Sequence, residues 1–569
     1  MAVKNKKKWK SRLITALLSN LFLVGTIFVF APLEVYVGNF LNFHFGFGIT
    51  CQIMLLAALA VLCVVTLIEM LLPRKAALML NALTVGVGIC CYVQMMFLNG
   101  KMVKLTGADM ITTRAERIAN LGIWAAIILA IGAGAALLLH KKKSKILHSG
   151  LRSVSLMLTV MQTAGLLSVA LTTDMSSAGG YMLAGDGRFE VAPKNNTLVF
   201  ILDSAENSIF DSMLEQFPDV HDAFSGFTYY SNATSMHSRT YPSLMYMLTG
   251  KVCHYDQPAE EYMRKAVEEG AMLKGLKEAG VDNRVFMWGV EKFTKAAKPF
   301  VSNLVITGFN SLESVSVPHL LEGMLNISLY KAMPYRIKYA LEYSMERINQ
   351  RVIRHDHEPY QYYDYEYYQD LKSSELTVNE EYAGAFRFYH LHGSHHDMYW
   401  DENMVRIDVL TKEQPLRGSL KIIEEYMRKL DEKGLLDETT IIVTADHGQF
   451  DKINSVDIKN NRKIPPNPML LVKYADSDMS KPLEISQAPV SHAEMIATVM
   501  EGCGLNDGTY GQTFREIPEH EKREREYYYT LVRSGKEESL IQFLIDGDAN
   551  SFENWEFSGN QWDIQYSVY

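Results

Sequence analysis

Cysteine is scarce in this sequence, with six residues among 569. Four of them lie inside long apolar runs, and Cys253 and Cys503 belong to the polar remainder of the chain. At most one bridge is available there, which excludes the disulfide framework that stabilises small secreted domains. The polar part, roughly 400 residues long, is large enough to rely on an ordinary hydrophobic core.

An excess of basic residues is missing as well. Lys and Arg number 56, Asp and Glu number 65, and the formal net charge is −9 at pH 7. A protein whose main partner is nucleic acid needs a basic stripe to neutralise phosphates. The charge balance therefore argues against nucleic acid as a partner.

Long apolar runs, by contrast, dominate the first third of the chain. Five runs of roughly 20 uncharged residues can each cross a bilayer core of about 30 Å. They are approximately Leu13–Ala31, Ile49–Ile68, Ala76–Asn99, Ile118–Leu139 and Ser153–Thr173. The first run is too long for a simple signal peptide, lacks an Ala-x-Ala-like cleavage site and precedes four more runs. The sequence predicts a five-span transmembrane domain over residues 1–173.

Basic residues cluster on one side of the predicted membrane. The segments Met1–Arg12, Pro73–Lys75 and His140–Arg152 are all basic and fall on the same side if the five runs span. The positive-inside rule makes that side cytoplasmic, although the loop Lys101–Arg117 carries four basic residues on the other side. An odd number of spans then places everything after Thr173 outside. An outer domain with at most one disulfide bond fits a multi-pass protein of a bacterial cell membrane.

The polar remainder has the pattern of an α/β domain. Residues 174–196 are rich in Gly, Ser and Ala and are interpreted as a linker. After it, "TLVFIL" (Thr197–Leu202) is a continuous apolar run typical of a buried parallel strand. Strand-like and helix-like segments alternate from there. We expect an α/β domain with a mostly parallel central sheet over residues 197–515 and a small C-terminal subdomain over residues 516–569.

A Tyr-rich stretch, His355–Asp370, interrupts this alternation. Its composition favours a solvated loop or helix face. The alternative is a role at a glycan or membrane interface, where tyrosines are common.

Polar residues follow two of the predicted strands. Asp203 comes directly after the first strand, and Asp446 and His447 come after "IIVTA". Thr240 stands between them in the sequence, in "TYPSLMYMLTG". Taken singly, Asp203 is also a plausible helix cap and "DHG" a turn. Because functional residues gather at the carboxyl ends of parallel strands, the four residues together predict a site for Zn²⁺ or Mn²⁺.

The stretches "LVFILDS", "TYPSLMYMLTG" and "TADHG", which contain these residues, resemble the three signature blocks of the alkaline phosphatase/sulfatase superfamily. Sulfatases carry Cys-x-Pro-Ser-Arg-x-x-Leu-Leu-Thr-Gly in the second block, with the Cys or a Ser converted to formylglycine. In this chain Pro242 and Ser243 match, but Thr240 stands at the Cys position and Leu244 at the Arg position. Threonine cannot become formylglycine, so the resemblance implies a threonine nucleophile like that of the phosphodiesterases and phosphotransferases of the superfamily.

The physical environment predicted for Thr240 agrees with this role. Pro242 suits the first turn of a helix and Gly250 its end, which places Thr240 at the helix N-terminus. Free N–H groups and the helix dipole favour a bound phosphate there. A metal ion held by Asp203, Asp446 and His447 would lower the pKa of the Thr240 hydroxyl. N-capping by Thr240 is the structural alternative, and the two roles are compatible.

A fourth block, "YHLHGSHH" (Tyr389–His396), resembles a stretch of the membrane-bound phosphoethanolamine transferases. On that pattern His390 and His395 match, and His395, with His390, is expected to contact the phosphoryl group or act as general acid. His392 and His396 are expected to be bystanders. Weaker expectations are phosphate binding by Arg462 or Lys463 and a site role for His492. A second metal site is not recognisable, so one metal is expected.

Five spans followed by such a domain resemble the lipoteichoic acid synthases and phosphoethanolamine transferases. The resemblance implies a membrane-anchored phosphotransferase that moves a phosphoglycerol or phosphoethanolamine head group from a phospholipid donor to a cell-surface glycan or lipid acceptor. Two alternatives stay open at this point. One is a phosphodiesterase that passes the same intermediate to water, and the other is a catalytically silent membrane protein that binds or senses the envelope.

Overall fold

The structure, a computed structural model, describes the chain except residues 1, 101–112, 174, 176–180, 288–294, 307–310, 339–340, 342–344, 354–359, 361–362, 396–399, 407–410, 450–464, 534–535 and 567–569. The chain divides into two units. The first unit contains Met1–Gly180 and Ile306–Asp356, and the second contains Tyr181–Val305 and His357–Tyr569.

Five helices of the first unit are long and apolar enough to cross a membrane, which confirms the predicted number of spans. These candidate spans are Trp9–Gly38, Phe47–Leu71, Arg74–Leu98, Arg114–His140 and Ser144–Thr172. The α-helices that build them are α1 (Ala2–Gly25), α2 (Ala31–Gly38), α3 (Phe47–Leu71), α4 (Arg74–Val93), α5 (Arg114–His140) and α6 (Ser144–Thr172). Helix α1 packs against α3, α4 and α6, and α4 packs against α5. Many large apolar side chains on these helices face outward, as lipid-facing side chains do.

Residues 306–356 belong to the first unit although they lie inside the predicted range 197–515. They form α12 (Val317–Ala332), α13 (Tyr335–Lys338) and α14 (Met345–Val352). Pro318 occupies the first turn of α12, where its missing N–H costs nothing. We refer to residues 306–356 as the insert.

A seven-stranded sheet forms the centre of the second unit. Its strands are β3 (Asn196–Leu202), β4 (Thr228–Tyr230), β5 (Val281–Phe286), β8 (Gly384–Leu391), β9 (Thr439–Thr444), β10 (Leu470–Lys473) and β11 (Glu484–Ser486). Their order across the sheet is β11-β4-β10-β9-β3-β8-β5. Strands β9, β3, β8 and β5 run parallel, and β10 pairs antiparallel with both β9 and β4. The predicted mostly parallel sheet is confirmed.

Helices cover both faces of this sheet. Strand β3 is buried along its whole length, and its alternate side chains point to opposite faces. Val199 and Ile201 pack into one core with helices α9 (Thr240–Thr249), α10 (Ala259–Glu269), α11 (Met272–Glu278) and α17 (Met495–Gly502). Leu198, Phe200 and Leu202 pack into the other with α7 (Asn207–Gln216), α15 (Asp364–Ser373) and α16 (Glu413–Glu432). A strand that is apolar on both faces is expected at the middle of such a layered fold.

Short elements flank this architecture. Helix α8 (Val220–Ala223) follows α7, and β6 (Leu304–Ile306) pairs with β1 (Tyr181–Leu183). Strand β2 (Glu190–Val191) runs parallel to β7 (Thr377–Val378). Strands β1 and β2 both lie in the segment predicted as linker, 174–196. Their partners are more than 100 residues away in the chain, which local composition does not reveal.

The C-terminal residues form a separate three-stranded antiparallel sheet, as the predicted small subdomain requires. Its strands are β12 (Glu524–Arg533), β13 (Lys536–Asp546) and β14 (Trp555–Asp563). Tyr527, Phe543 and Trp555 form its own apolar cluster with their neighbours. Strand β12 also holds the segment before α9, because Tyr528 N donates to Met236 O at 2.8 Å and Ser238 N donates to Tyr528 O at 3.0 Å.

Candidate active site

The predicted metal ligands meet at the carboxyl ends of two neighbouring strands. Asp203 directly follows β3, and Asp446 and His447 follow β9 with only Ala445 between. Because β3 and β9 are parallel partners, their ends open at the same edge of the sheet. Ligand atoms of the three side chains lie within 4.8 Å of one another. All three side chains are buried, with exposures of 3%, 0% and 5%.

Hydrogen bonds hold one oxygen of each carboxylate in place. Asp446 Oδ1 accepts from Ser204 N and from His447 N, both at 2.9 Å. Asp446 Oδ2 makes no hydrogen bond within the described residues and lies 3.1 Å from His447 Nε2. Asp203 Oδ1 accepts from Ser204 Oγ at 2.9 Å, and Asp203 Oδ2 lies 3.4 Å from His390 Nε2.

Ser204 links the two carboxylates in a strained backbone conformation. Its φ of 57° lies in the left-handed region, which non-glycine residues adopt rarely and at a cost of about 1–3 kcal/mol. This conformation turns its N–H toward Asp446 and its hydroxyl toward Asp203. Such strain is concentrated at functional sites, where the surrounding structure enforces it.

His447 has the tautomer that a metal ligand needs. Its Nδ1 lies 2.6 Å from Gly448 O, which requires Nδ1 to carry the proton and donate it. The other ring nitrogen, Nε2, faces Asp446 and Thr240. A backbone carbonyl that fixes the ring in this way is the usual outer partner of a metal-bound histidine.

Thr240 approaches the same nitrogen from the N-terminus of α9. Its Oγ1 lies 3.2 Å from His447 Nε2. Helix α9 begins at Thr240 and ends at Gly250, whose φ of 70° suits a glycine C-cap. Arg239 is the N-cap residue, and no side chain among the described residues caps this end. The Thr240 hydroxyl thus points to His447 rather than to a backbone N–H, so the capping alternative does not describe its position.

The charges of this cluster favour a bound cation. Burial works against ionisation of Asp203, but the hydrogen bond and charge of His390, together with the charges of His447 and His395, outweigh it and hold the pKa of Asp203 below its usual range. Burial, followed by the charge of Asp203, raises the pKa of Asp446. Two adjacent buried carboxylates with an imidazole nitrogen and a hydroxyl are a donor set that suits Zn²⁺ or Mn²⁺. The residues present therefore fit the predicted divalent metal.

The fourth block begins with Tyr389, His390 and Leu391 at the end of β8, the strand on the other side of β3 from β9, and its next described residues, His392 to His395, form the loop that follows. His390 is buried, and its Nε2 lies 3.4 Å from Asp203 Oδ2. His395 is exposed, and its ring packs edge-on against His392 at 5.3 Å between centroids. The two predicted histidines therefore differ in burial, with His390 buried beside the predicted metal ligand Asp203 and His395 exposed in the loop after β8.

Asp364 and Gly393, which sequence reasoning missed, hold this loop in place. Asp364 is fully buried at the start of α15 and accepts from Gly393 N at 3.1 Å and from Ser419 Oγ at 2.5 Å. It also accepts from His392 N at 2.5 Å, and burial raises the pKa of Asp364 to about 6. Gly393 has a φ of 59° and lies directly against the backbone of Asp203. Asp364 lies in the Tyr-rich stretch, which is therefore partly a buried helix, and the sequence carries no local signal for its role.

Gln449 is a further residue that sequence reasoning missed. Its amide donates to Ser204 O at 2.7 Å and to Ser394 O at 3.1 Å, and its backbone N donates to Glu206 Oε2 at 2.8 Å. It therefore ties the loop after β9 to the loops after β3 and β8. Its position two residues after the "DH" pair is the signal that would have indicated it.

The weaker sequence candidates divide into two groups. His492 is buried, and burial together with nearby His447 lowers the pKa of His492 to about 3. It is a neutral neighbour of the cluster rather than a charged phosphate ligand. Arg462, Lys463 and His396 lie outside the described residues.

Comparison with known proteins finds solved structures only. No protein-family model matches the chain, and no curated protein does. The chain is similar to a protein of the alkaline phosphatase superfamily from Vibrio parahaemolyticus, at 13% identity and a TM-score of 0.34, over 68% of this chain and 85% of that one. It is also similar to the lipoteichoic acid synthase LtaP from Listeria monocytogenes, at 12% identity and a TM-score of 0.36, over 68% of this chain and 91% of that one.

A third similar structure is the C-terminal periplasmic domain of EcEptC from Escherichia coli. It has 11% identity and a TM-score of 0.35, over 64% of this chain and 99% of that one. At such low identities and TM-scores, the function has to be inferred from the residues of this chain.

Proposed function

We propose that the chain is a membrane-anchored, metal-dependent phosphotransferase of the alkaline phosphatase/sulfatase superfamily. It takes a phosphoglycerol or phosphoethanolamine head group from a phospholipid and passes it to a cell-envelope glycan or lipid through a phospho-Thr240 intermediate. One observation carries the proposal. The hydroxyl of Thr240, at a helix N-terminus, lies 3.2 Å from a histidine nitrogen that belongs to a buried two-carboxylate cluster.

The cluster gives each residue a role. Asp203, Asp446, His447 and the Thr240 oxygen would hold one Zn²⁺ or Mn²⁺, which lowers the pKa of a hydroxyl beside it and offsets phosphate charge. The first N–H groups of α9 favour the phosphate oxygens. Arginine is absent at position 244, where Leu244 is buried in the core, and Thr240 cannot form an aldehyde. Both observations argue against sulfate-ester hydrolysis.

Transfer then takes two displacements at phosphorus. In the first, Thr240 Oγ1 loses its proton to water and bonds to phosphorus, the bond to the diacylglycerol oxygen breaks, and exposed His395 protonates that oxygen. In the second, His395 takes the proton of the acceptor hydroxyl, whose oxygen bonds to phosphorus. The bond to Thr240 breaks, and the Thr240 oxygen regains a proton from water. His390, buried against Asp203, keeps that carboxylate ionised.

The membrane part supports the same proposal. Basic residues at the ends Met1–Arg12, Pro73–Lys75 and His140–Arg152 favour a cytoplasmic location for those ends. The catalytic domain, which is the second unit of residues 181–305 and 357–569 and includes the C-terminal subdomain 516–569, then lies outside the cytoplasm of a bacterial cell. A protein anchored by five spans meets its phospholipid donor in the same membrane.

The proposal is tested by trapping the intermediate. Purified full-length protein is incubated with phospholipid labelled in the head group, and mass spectrometry locates the adduct. We expect label on Thr240 in the wild type, none in Thr240→Ala, and wild-type labelling in Thr249→Ala, which removes a hydroxyl from the other end of the same helix. A Thr240→Ala protein that still traps or transfers the head group would refute the mechanism.

The same experiment separates the rival functions. Free head group released equally with and without envelope acceptor would identify a phosphodiesterase. Absence of both an adduct and bound Zn or Mn in the purified protein would identify a catalytically silent envelope-binding protein. The intact set of Thr240, Asp203, Asp446 and His447 favours the transferase over the silent protein.

A further inference from the structure

The insert breaks the sequence of the second unit and makes the chain pass between the two units three times. The passages lie at residues 180–181, 305–306 and 356–357. The predicted linker, 174–196, contains only the first of these passages, and the other two were not predicted. The insert closes on itself at its base, where Val315 bridges Ile353 antiparallel and Ser316 N donates to Val352 O at 2.6 Å.

An apolar core joins the insert to the first two candidate spans. The insert contributes Val315, just before α12, together with Leu320, Met324 and Ile327 of α12 and Ile348 and Val352 of α14, to a buried cluster. The membrane helices and the loop between them contribute Tyr36, Phe43, Phe45, Ile49, Ile53 and Met54. Met324 lies at its centre with no exposed surface. Burial of this many apolar side chains is the dominant stabilising contribution in a protein core.

Polar contacts connect the insert to both ends of this surface. Asn349 donates from Nδ2 to Asn42 O at 2.9 Å and accepts from His44 N at 3.1 Å, in the loop between the first and second spans. Lys331 forms an ion pair with Glu34 at 3.0 Å. Helices α12 and α14 are therefore held to α2 and to this loop by polar as well as apolar contacts.

A second group of polar contacts lies at the third and fourth spans. The buried Lys338 ammonium donates to Asn99 Oδ1 at 2.6 Å, and Tyr335 N donates to Asn120 Oδ1 at 3.1 Å. The Tyr335 hydroxyl donates to Leu98 O. Both groups of contacts lie at the ends of the spans opposite to the basic segments, which is the side on which the chain continues into the second unit.

We propose that the insert is a second anchor, which holds the catalytic domain to the membrane helices independently of the linker. The partner surface is built from the outer ends of the first four spans of the same chain. The catalytic domain is then attached through three chain passages, and cleavage of the linker alone leaves it membrane-bound. This inference rests on the packing of the insert and not on the proposed function.

The anchor is tested by cutting the full-length protein in membranes. One variant carries a specific protease site between Thr173 and Tyr181, and another carries this site together with sites within residues 307–310 and 354–359. The two pieces of the second unit stay together after all cuts, because β3, β4 and β5 precede the insert and β8 to β11 follow it in one sheet. We expect the fragment 181–569 to sediment with membranes after the linker cut and a high-salt wash, and the second unit to be released after three cuts.

Release after the linker cut alone would overturn the proposal, and so would retention after all three cuts. Two point variants in the linker-cut background provide a sharper comparison. Met324→Asp places a charge in the buried cluster, whereas Val317→Asp places one at a position of the same helix that is 36% exposed. We expect at least a tenfold larger released fraction for Met324→Asp than for Val317→Asp. Equal release by the two would refute the assigned contact surface.

Discussion

The substitution Gly393→Ala tests how the loop after β8 positions Asp203. A Cβ at residue 393 would lie 2.6 Å from Asp203 N and 2.6 Å from Leu202 C. Real Cβ contacts are essentially never so short, and both atoms belong to the backbone. Asp203 is also tied to the residues that flank Gly393, because Asp203 N donates to Leu391 O at 3.1 Å and Ser394 N donates to Asp203 O at 2.9 Å. The alanine can be accommodated only if the loop and Asp203 separate.

The expected magnitude has two parts. Alanine at φ 59° costs about 1–2 kcal/mol because its Cβ disfavours the left-handed region, and overlap with packed neighbours adds about 1–3 kcal/mol. Gly434→Ala is the matched control, since Gly434 has a φ of 69° but nothing within 4 Å of its Cβ position. Gly434→Ala should therefore lose only the stability of about 1–2 kcal/mol that the left-handed backbone conformation costs an alanine. The difference between the two variants measures the overlap at Asp203.

The assay combines metal titration with thermal unfolding of the purified protein. If the overlap moves Asp203, about 1–3 kcal/mol of lost binding free energy weakens the dissociation constant for Mn²⁺ or Zn²⁺ by about 5- to 150-fold. Gly434→Ala should bind the metal as the wild type does. The reasoning would be refuted if Gly393→Ala bound the metal as tightly as Gly434→Ala, because Asp203 would then not be a ligand placed by this loop.

Two further predictions concern the charges around the site. The pKa of Asp364 is raised from 3.8 to about 6 in the folded protein, so its contribution to stability favours folding at low pH and is lost as the pH rises from about 4 to 6. Asp364→Asn should therefore change the pH slope of the unfolding free energy in that window by up to about 1.4 kcal/mol per pH unit. Unfolding midpoints measured across this range check it, and an unchanged slope would contradict it. Mn²⁺ or Zn²⁺ at 100 times its dissociation constant should stabilise the folded protein by about 2.7 kcal/mol. Asp446→Asn, which keeps nearly the same side-chain shape, should abolish this stabilisation by the metal. The control Asp437→Asn, at an exposed position before β9, should keep it. If Asp446→Asn were still stabilised by the metal, that carboxylate would be excluded as a ligand.

Signals that lie close together in the chain made much of the fold and the site predictable. Apolar runs indicate spans because the bilayer imposes a length. A polar residue directly after an apolar strand, such as Asp203, lies at the carboxyl ends of the parallel strands wherever that strand sits in the sheet. The insert was not predictable in this way. The apolar face of α12 resembles that of any amphipathic helix, and its partner surface around Tyr36 and Phe45 lies almost 300 residues earlier. Asp364 was missed for the same reason, since its partners come from the loop after β8 and from α16.

The contact between Thr240 and His447 depends on parts of the chain that carry no chemistry themselves. His447 is placed by β9, in the middle of the sheet. Thr240 is placed by α9 and by the preceding segment, which the C-terminal strand β12 holds through Tyr528 and through a hydrogen bond from Thr530 N to Ser238 Oγ at 2.9 Å. Strand β12 therefore supports the position of Thr240, the proposed nucleophile. Since a reacting atom displaced by about 1 Å can reduce the rate about a hundredfold, loss of this support would impair the site even with every ligand intact.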